Sequence, residues 1–199
     1  MPASLRHPRR SLLRGAMLGI LWTPLRAAGA SLPPIDALMQ ALAGVPARRA
    51  DFIEIKTIAA LSEPITATGA LIYRRPDYLA KITAAPHAEQ LVVDGDQLTL
   101  TEGTEAPHVI ALDSHPRLRA LVDAVRGTLS GNLASLRRQY TVTMTGSLTA
   151  WRLDLTPIEA GVASLIRLIA IEGTGTTLRT VRTVQANGDE SRMTINPEP

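Results

Sequence analysis

Between Gly69 and Leu100 apolar and polar residues alternate with a period of two, interrupted at short intervals by turn residues. Leu71, Tyr73 and Arg75 alternate against Ala70, Ile72 and Arg74. After Pro76-Asp77 the pattern resumes over Leu79 to Thr83, Glu89 to Val93 and Gln97 to Leu100. Successive strand residues point to opposite faces, so this stretch predicts an antiparallel meander with one apolar face that something else must cover. Asp94-Gly95, between two apolar runs, predicts a two-residue type I′ hairpin turn, which needs positive φ at both central positions.

Elsewhere the period changes. Pro33-Pro34 opens a predicted helix with Ile35, Leu38, Met39 and Leu42 on one stripe, closed by Gly44 and Pro46. Asp51 to Ile58 reads as a strand with Ile53 and Ile55 on one side and Glu54 and Lys56 on the other, and His108 to Leu112 as another. Pro116 at a first helical position, followed by Leu118, Leu121, Val122, Val125 and Leu129, predicts an amphipathic helix that Ser130-Gly131 stops; Asn132 to Gln139 predicts a shorter one.

The last third returns to strands. Tyr140 to Thr145 alternates Tyr, Val and Met144 against Thr, and Trp151, Leu153 and Leu155 alternate against Arg152 and Asp154. Leu165 to Ile171 is nearly continuously apolar and predicts a strand covered on both faces. Leu178 to Gln185 and Glu190 to Ile195 join through Asn187-Gly188. About ten strands and three helices without a βαβ rhythm predict a mainly β protein with α, an antiparallel sheet with segregated helices.

Composition sharpens this picture. At 199 residues one domain is expected, and 45% of residues are hydrophobic but only 3% aromatic, so the apolar surface is Leu, Ile, Val and Ala. Such a surface suits alkyl chains better than nucleobases or flat cofactors, which recruit stacking rings. Cys is absent, which excludes disulfides, thiolate metal sites, a cysteine nucleophile and lipid attachment at an N-terminal Cys.

Charge is unevenly placed. Residues 1–30 hold five of the 21 Lys+Arg and no acid, which leaves 16 basic against 18 acidic residues elsewhere, or −2 from a total of +3. The basic balance belongs to the leader, so no nucleic-acid partner is expected. Met1 to Ala30 itself reads as a signal peptide: an Arg-rich start, a short apolar segment from Gly15 to Leu25, and Ala28-Gly29-Ala30 as a cleavage site. Arg9-Arg10-Ser11-Leu12-Leu13-Arg14 fits a twin-arginine export signal, a general secretory signal with adjacent arginines fits as well, and an uncleaved anchor stays open. Residues 31–199 are expected to form the exported domain.

Candidate chemistry is sparse. His87, His108 and His115 sit at turns or element edges without metal-ligand spacing, and no nucleophile elbow, Ser-x-x-Lys pair, His-Glu-x-x-His or phosphate loop occurs. Asp94-Gly95-Asp96 and Gly188-Asp189-Glu190 read as hairpin turns rather than calcium loops. A binder without metal or cofactor is expected, not an enzyme.

The pattern G-x-L-x-Y-x-R-P-x-x-L from Gly69, the segment P-x-x-x-x-L-V-V-D-G-x-x-L from Pro86, and the helix pair after a further strand together resemble the outer-membrane lipoprotein carrier family, the LolA-like proteins. The resemblance implies an unclosed antiparallel half-barrel with a helical lid, enclosing an apolar cavity for acyl chains of a lipid or lipoprotein in the periplasm. It further implies a monomer that shuttles cargo between an inner-membrane exporter and an outer-membrane acceptor. Ligand-binding residues would then be Leu71, Tyr73, Leu79, Leu91, Val93, Leu98 and Leu100 on the meander, Leu118, Leu121, Val122 and Val125 on the lid, and Met144, Trp151 and Leu153 on the returning strands. Plain core packing explains the same composition.

Arg75 matches the arginine that in the family reaches the lid helices, here Pro116 to Gln139, and holds the empty cavity shut; Arg75→Leu would bind lipid but release it poorly. A surface charge is the other reading. Leu79 stands where the family often carries an aromatic, and the chain ends at Pro199 with little of the family's C-terminal extension, so another lipid is expected at least equally with lipoprotein. The alternative function is a periplasmic interaction or sensor protein of the same fold that serves an envelope export machine without shuttling.

Overall fold

The computed structural model describes residues 34–197; the expected signal peptide and its cleavage near Ala30 lie outside the described residues. A helix α1 (Pro34–Ala43) leads into β1 (Ala47–Thr57), β2 (Ile65–Arg74), β3 (Tyr78–Ala85), β4 (Glu89–Asp94), β5 (Gln97–Glu102) and β6 (His108–Ala111). A 3₁₀ turn (Leu112–Ser114), α2 (Pro116–Leu129) and α3 (Leu133–Gln139) follow. The chain then returns through β7 (Tyr140–Ser147), β8 (Ala150–Pro157), a single turn α4 (Ala160–Ala163), β9 (Ile166–Thr174), β10 (Thr177–Gln185) and β11 (Glu190–Pro197).

All eleven strands lie in one antiparallel sheet of order β6-β5-β4-β3-β2-β1-β11-β10-β9-β8-β7, which is not closed into a barrel. The first and last described strands, β1 and β11, pair at its middle, from Ala50 opposite Pro197 to Thr57 opposite Glu190. The two free edges, β6 and β7, are therefore successive in the chain. Whatever joins them must cross the open side of the sheet, and the segment that does so is the 3₁₀ turn, α2 and α3.

Local chemistry fixes this strap. Pro116 begins α2 where its missing N–H costs nothing, and Asn132 caps α3 by accepting a hydrogen bond from the Ser135 amide at 2.9 Å. Between the two helices Gly131 takes φ +67°, and a Cβ there would lie 2.1 Å from the Met39 carbonyl oxygen. That glycine lets α1 approach the helix junction closely.

The inner face carries the odd residues of β2 to β4 and the even residues of β5 and β1, in register across Arg48–Tyr73, Tyr73–Leu79, Leu79–Val93 and Val93–Leu98. The main core packs α1, α2 and α3 against β7 to β9, with Leu38, Leu136, Leu153, Leu155 and Ile171 fully enclosed. A smaller cluster of Val93, Leu98 and Leu112 sits near the β6 edge.

Several local expectations differ from what is found. The β4–β5 hairpin forms, but Asp94 pairs with Gln97, so its two loop residues are Gly95 and Asp96. Only Gly95 has positive φ (58°), the demand of a type II′ turn on its first central residue. β1 starts at Ala47 rather than Asp51, because Arg48 and Arg49 pair with β2 despite their charge. Leu112 leaves its strand for the 3₁₀ turn, where it is fully buried. The short α4, with Glu159 accepting from the Gly161 amide at its start, carries no apolar stripe by which periodicity could reveal it. In β9, Ile169, Ala170 and Ile171 are buried in succession, as a strand covered on both faces should be, while Arg167 is exposed.

Candidate functional site

The inner face of the sheet and the apolar stripe of α2 do not meet everywhere. Between them lies a cavity of about 610 Å³. From the sheet it is lined by Leu71, Tyr73, Leu79, Leu91, Val93 and Leu98, and from the strap by Leu118, Leu121, Val122 and Val125. These ten were expected as ligand-binding residues, and the meander and α2 bring them together around one hollow.

The other five lie elsewhere. Leu100 packs against the small cluster of Val93, Leu98 and Leu112. Met144, Trp151 and Leu153 face inward but belong to the filled core; Leu153 is 0% exposed, and Trp151 Nε1 donates to the Gly175 carbonyl at 2.8 Å. Helices α1 and α3 contribute Leu38, Leu42, Leu133 and Leu136 to the same cluster.

Arg75 takes a place that differs from the expected one. β2 ends at Arg74, and the Arg75 amide donates to the Pro46 carbonyl at 2.9 Å. This holds the residue beside the loop after α1, and its Nη1 donates to the carbonyl of Ala43, the last residue of α1. The helix that Arg75 ties is α1, not the α2–α3 strap.

The strap is held by other groups. Arg126 Nη1 donates to the Gly95 carbonyl at 2.8 Å, while its Nη2 meets Asp123 at 2.8 Å. Arg119 reaches Asp96 at 2.9 Å and Asp113 at 2.8 Å. Arg117 donates to the Gln185 side chain on β10. Tyr140 at the start of β7 donates to the Ala120 carbonyl at 2.6 Å, and burial, with the charge of Asp123, pushes its phenol well above the usual range. Apart from this buried bond the ties are largely polar and near the rim, where an ion pair contributes roughly 0 to 1 kcal/mol.

Polar residues that sequence reasoning did not place also line the cavity. On β1 the even residues face inward, so Glu54 is 6% exposed while Ile53 and Ile55 are each 44% exposed. Phe52, 1% exposed, decides this parity. Lys81 Nζ donates to Glu54 Oε2 at 2.5 Å, Ser191 Oγ donates to Oε1 at 2.5 Å, and Lys56 stands 3.8 Å away. Burial alone would raise the Glu54 pKa, but the Lys81 charge, the two hydrogen bonds and Lys56 outweigh it and hold the carboxyl below its usual value.

At the opposite end of the cavity, Arg48 donates through Nη1 to the Thr176 carbonyl and through Nη2 to the Leu42 carbonyl at 3.3 Å. Burial lowers its pKa, and the neighbouring Tyr73 phenol opposes that shift. Among the described residues no cluster of three or more His, Asp or Glu is placed to hold a metal, and no helix is long and apolar enough to cross a membrane.

Comparison with known proteins adds a family. The model described as outer membrane lipoprotein carrier protein LolA-like matches residues 27–196. Among solved structures, the chain is similar to a LolA superfamily protein from Nitrosomonas europaea, at 8% identity, 83% of this chain, 92% of that chain and a TM-score of 0.42. It is similar to a DUF1329 family protein from Desulfovibrio piger at 9% identity, 83% and 92% coverage and a TM-score of 0.46. A third likeness is to the MucA/MucB complex of Pseudomonas aeruginosa, at 11% identity, 82% of this chain, 56% of that chain and a TM-score of 0.43. No curated protein matches the chain.

Proposed function

Because the chain belongs to the LolA-like family of outer membrane lipoprotein carrier proteins, we propose that it is a periplasmic carrier. It takes acyl chains of a lipid or lipoprotein into the cavity under α2 and releases them toward the outer membrane. Residues 1–30 direct export, and residues 31–199 form the carrier domain. It binds rather than catalyses, acts as a monomer, and meets an inner-membrane donor and an outer-membrane acceptor.

The observation that carries this reading is the hollow of about 610 Å³ walled largely by Leu, Val and Ala from the sheet and from α2. A filled sheet-and-helix core has no use for such a space, and its size falls within the roughly 300–1,000 Å³ of small-ligand pockets. At about 0.8 kcal/mol per methylene, a chain of roughly 14 methylenes resists entering water by on the order of 11 kcal/mol. Leu71, Leu79, Leu121 and Val125 supply the apolar wall that replaces the bilayer in transit. The rim ties of α2 give way when a chain competes for the space beneath it.

Native mass spectrometry of the protein purified from the periplasm tests the reading. A stoichiometric lipid adduct is expected, together with acceleration of acyl-chain transfer between vesicles. Ligand-free protein that transfers nothing would remove the carrier and leave a partner-binding role, of the kind named in the MucA/MucB complex, as the better account.

A further inference from the structure

Arg48 on β1 and Tyr73 on β2 stand directly opposite each other in register, and both line the cavity. Tyr73 is 2% exposed, yet its hydroxyl has no hydrogen-bond partner among the described residues. The Arg48 Nε is likewise buried without a partner, and its two Nη groups meet only backbone carbonyls. No carboxylate pairs with this guanidinium among the described residues. A buried donor without an acceptor and a half-buried cation without a counter-charge are each costly, and both costs fall at one spot on the wall of one hollow.

The other polar end of the cavity is different in kind. Six residues along β1, roughly 20 Å at strand rise, Glu54 already has Lys81 and Ser191. One end is electrically satisfied and the other is not. Of these two ends, the one that offers an entering anion unmatched donors is the Arg48–Tyr73 end.

Resting on the carrier reading above, we propose that the cavity selects amphiphiles with an anionic oxygen headgroup, phosphate or carboxylate. The headgroup sits against Arg48 and accepts the Tyr73 hydroxyl hydrogen bond, while the acyl chain lies along Leu71, Leu79, Leu121 and Val125. Arg48 keeps three N–H donors beyond the two that hold Thr176 and Leu42, including Nε–H, so the anion need not break the existing contacts. Charge-assisted bonds of this sort are about twice as strong as neutral ones, which makes the headgroup, more than the tail, the source of selectivity.

Calorimetry with dodecyl phosphate, dodecanoate, dodecanol and inorganic phosphate, each below any micelle concentration, tests this on the mature protein. Dodecyl phosphate and dodecanoate are expected to bind at least about tenfold more tightly than dodecanol. Tyr73→Phe, which deletes only the unpartnered hydroxyl, should narrow that ratio by about threefold or more, and Arg48→Met should bring it close to one. Inorganic phosphate should not bind at concentrations where dodecyl phosphate saturates.

Equal affinities for dodecanol and dodecyl phosphate in the wild type would overturn the headgroup assignment and leave the carrier standing. Inorganic phosphate binding as tightly as dodecyl phosphate would overturn it in favour of a free-phosphate site. Failure of all three dodecyl ligands to bind would remove the carrier reading itself. Should Arg48→Met not fold, the wild-type ligand series and Tyr73→Phe decide alone.

Discussion

Arg126 Nη1 donates to the carbonyl oxygen of Gly95 at 2.8 Å, joining the last third of α2 to the tip of the β4–β5 hairpin. The strap is thus fastened to the same hairpin whose Val93 and Leu98 wall the cavity, and the fastening is the strap's own. Arg126→Ala removes it, while Asp123 retains Arg119 at 3.3 Å and Gln139 at 2.8 Å. Loss of one such tie is worth about 1 kcal/mol, so hydrogen exchange across α2 should quicken roughly fivefold, with β8 and β9 unchanged. Unaltered α2 protection would mean that the Arg126 tie contributes nothing to holding the strap.

Arg75 should behave differently. Its guanidinium meets the Ala43 carbonyl and not α2. Arg75→Leu is expected to raise exchange at the end of α1 and to leave α2 protection as it was. If α2 loosened as far as it does in Arg126→Ala, the arginine would be acting on the strap after all, as the family resemblance implied.

The Glu54–Lys81 pair makes stability depend on pH with a definite sign. The folded carboxyl is held below its ordinary value, so its contribution is present above the unfolded glutamate pKa of about 4.3 and is lost as pH falls through the folded value. Glu54→Gln leaves the Lys81 ammonium with a neutral acceptor in a site where the Lys81 side chain is 19% and the Glu54 side chain 7% exposed. At pH 7 we expect a loss of about 1–3 kcal/mol in urea denaturation, with the two proteins converging in acid. Equal midpoints at pH 7 would show that the pair contributes nothing net.

How far the chain could be read in advance depended on whether the deciding interaction was local. Period-two alternation over Leu71, Tyr73, Leu79, Leu91, Val93 and Leu98 put these side chains on one face, and the stripe of α2 put Leu118 to Val125 on another; both readings needed only neighbours in sequence. The parity of β1 was not local. Ile53 and Ile55 outnumber Phe52 on hydrophobicity, but Phe52 fits beneath Lys81, whose Nζ lies 5.2 Å from the ring centroid, and this turns Glu54 inward. Whether an inward leucine met a helix or a hollow was equally illegible, because it rests on how α1, α2 and α3 settle over the sheet. Leu153 and Leu71 have the same composition and strand parity and different fates.

That last distinction can be measured. Leu153 is fully enclosed in the packed core, so Leu153→Ala opens a new void and should cost about 2–5 kcal/mol. Leu71 is only partly buried and already borders the cavity, so Leu71→Ala merely enlarges existing space and should cost about 1–2 kcal/mol, little beyond the lost transfer term. Leu71→Trp should reduce the hollow with little change in stability while weakening binding of a dodecyl chain. Equal losses for the two alanine variants, read as urea midpoints under one set of conditions, would mean that the wall at Leu71 is packed as tightly as the core and that no space for an acyl chain stands beside it.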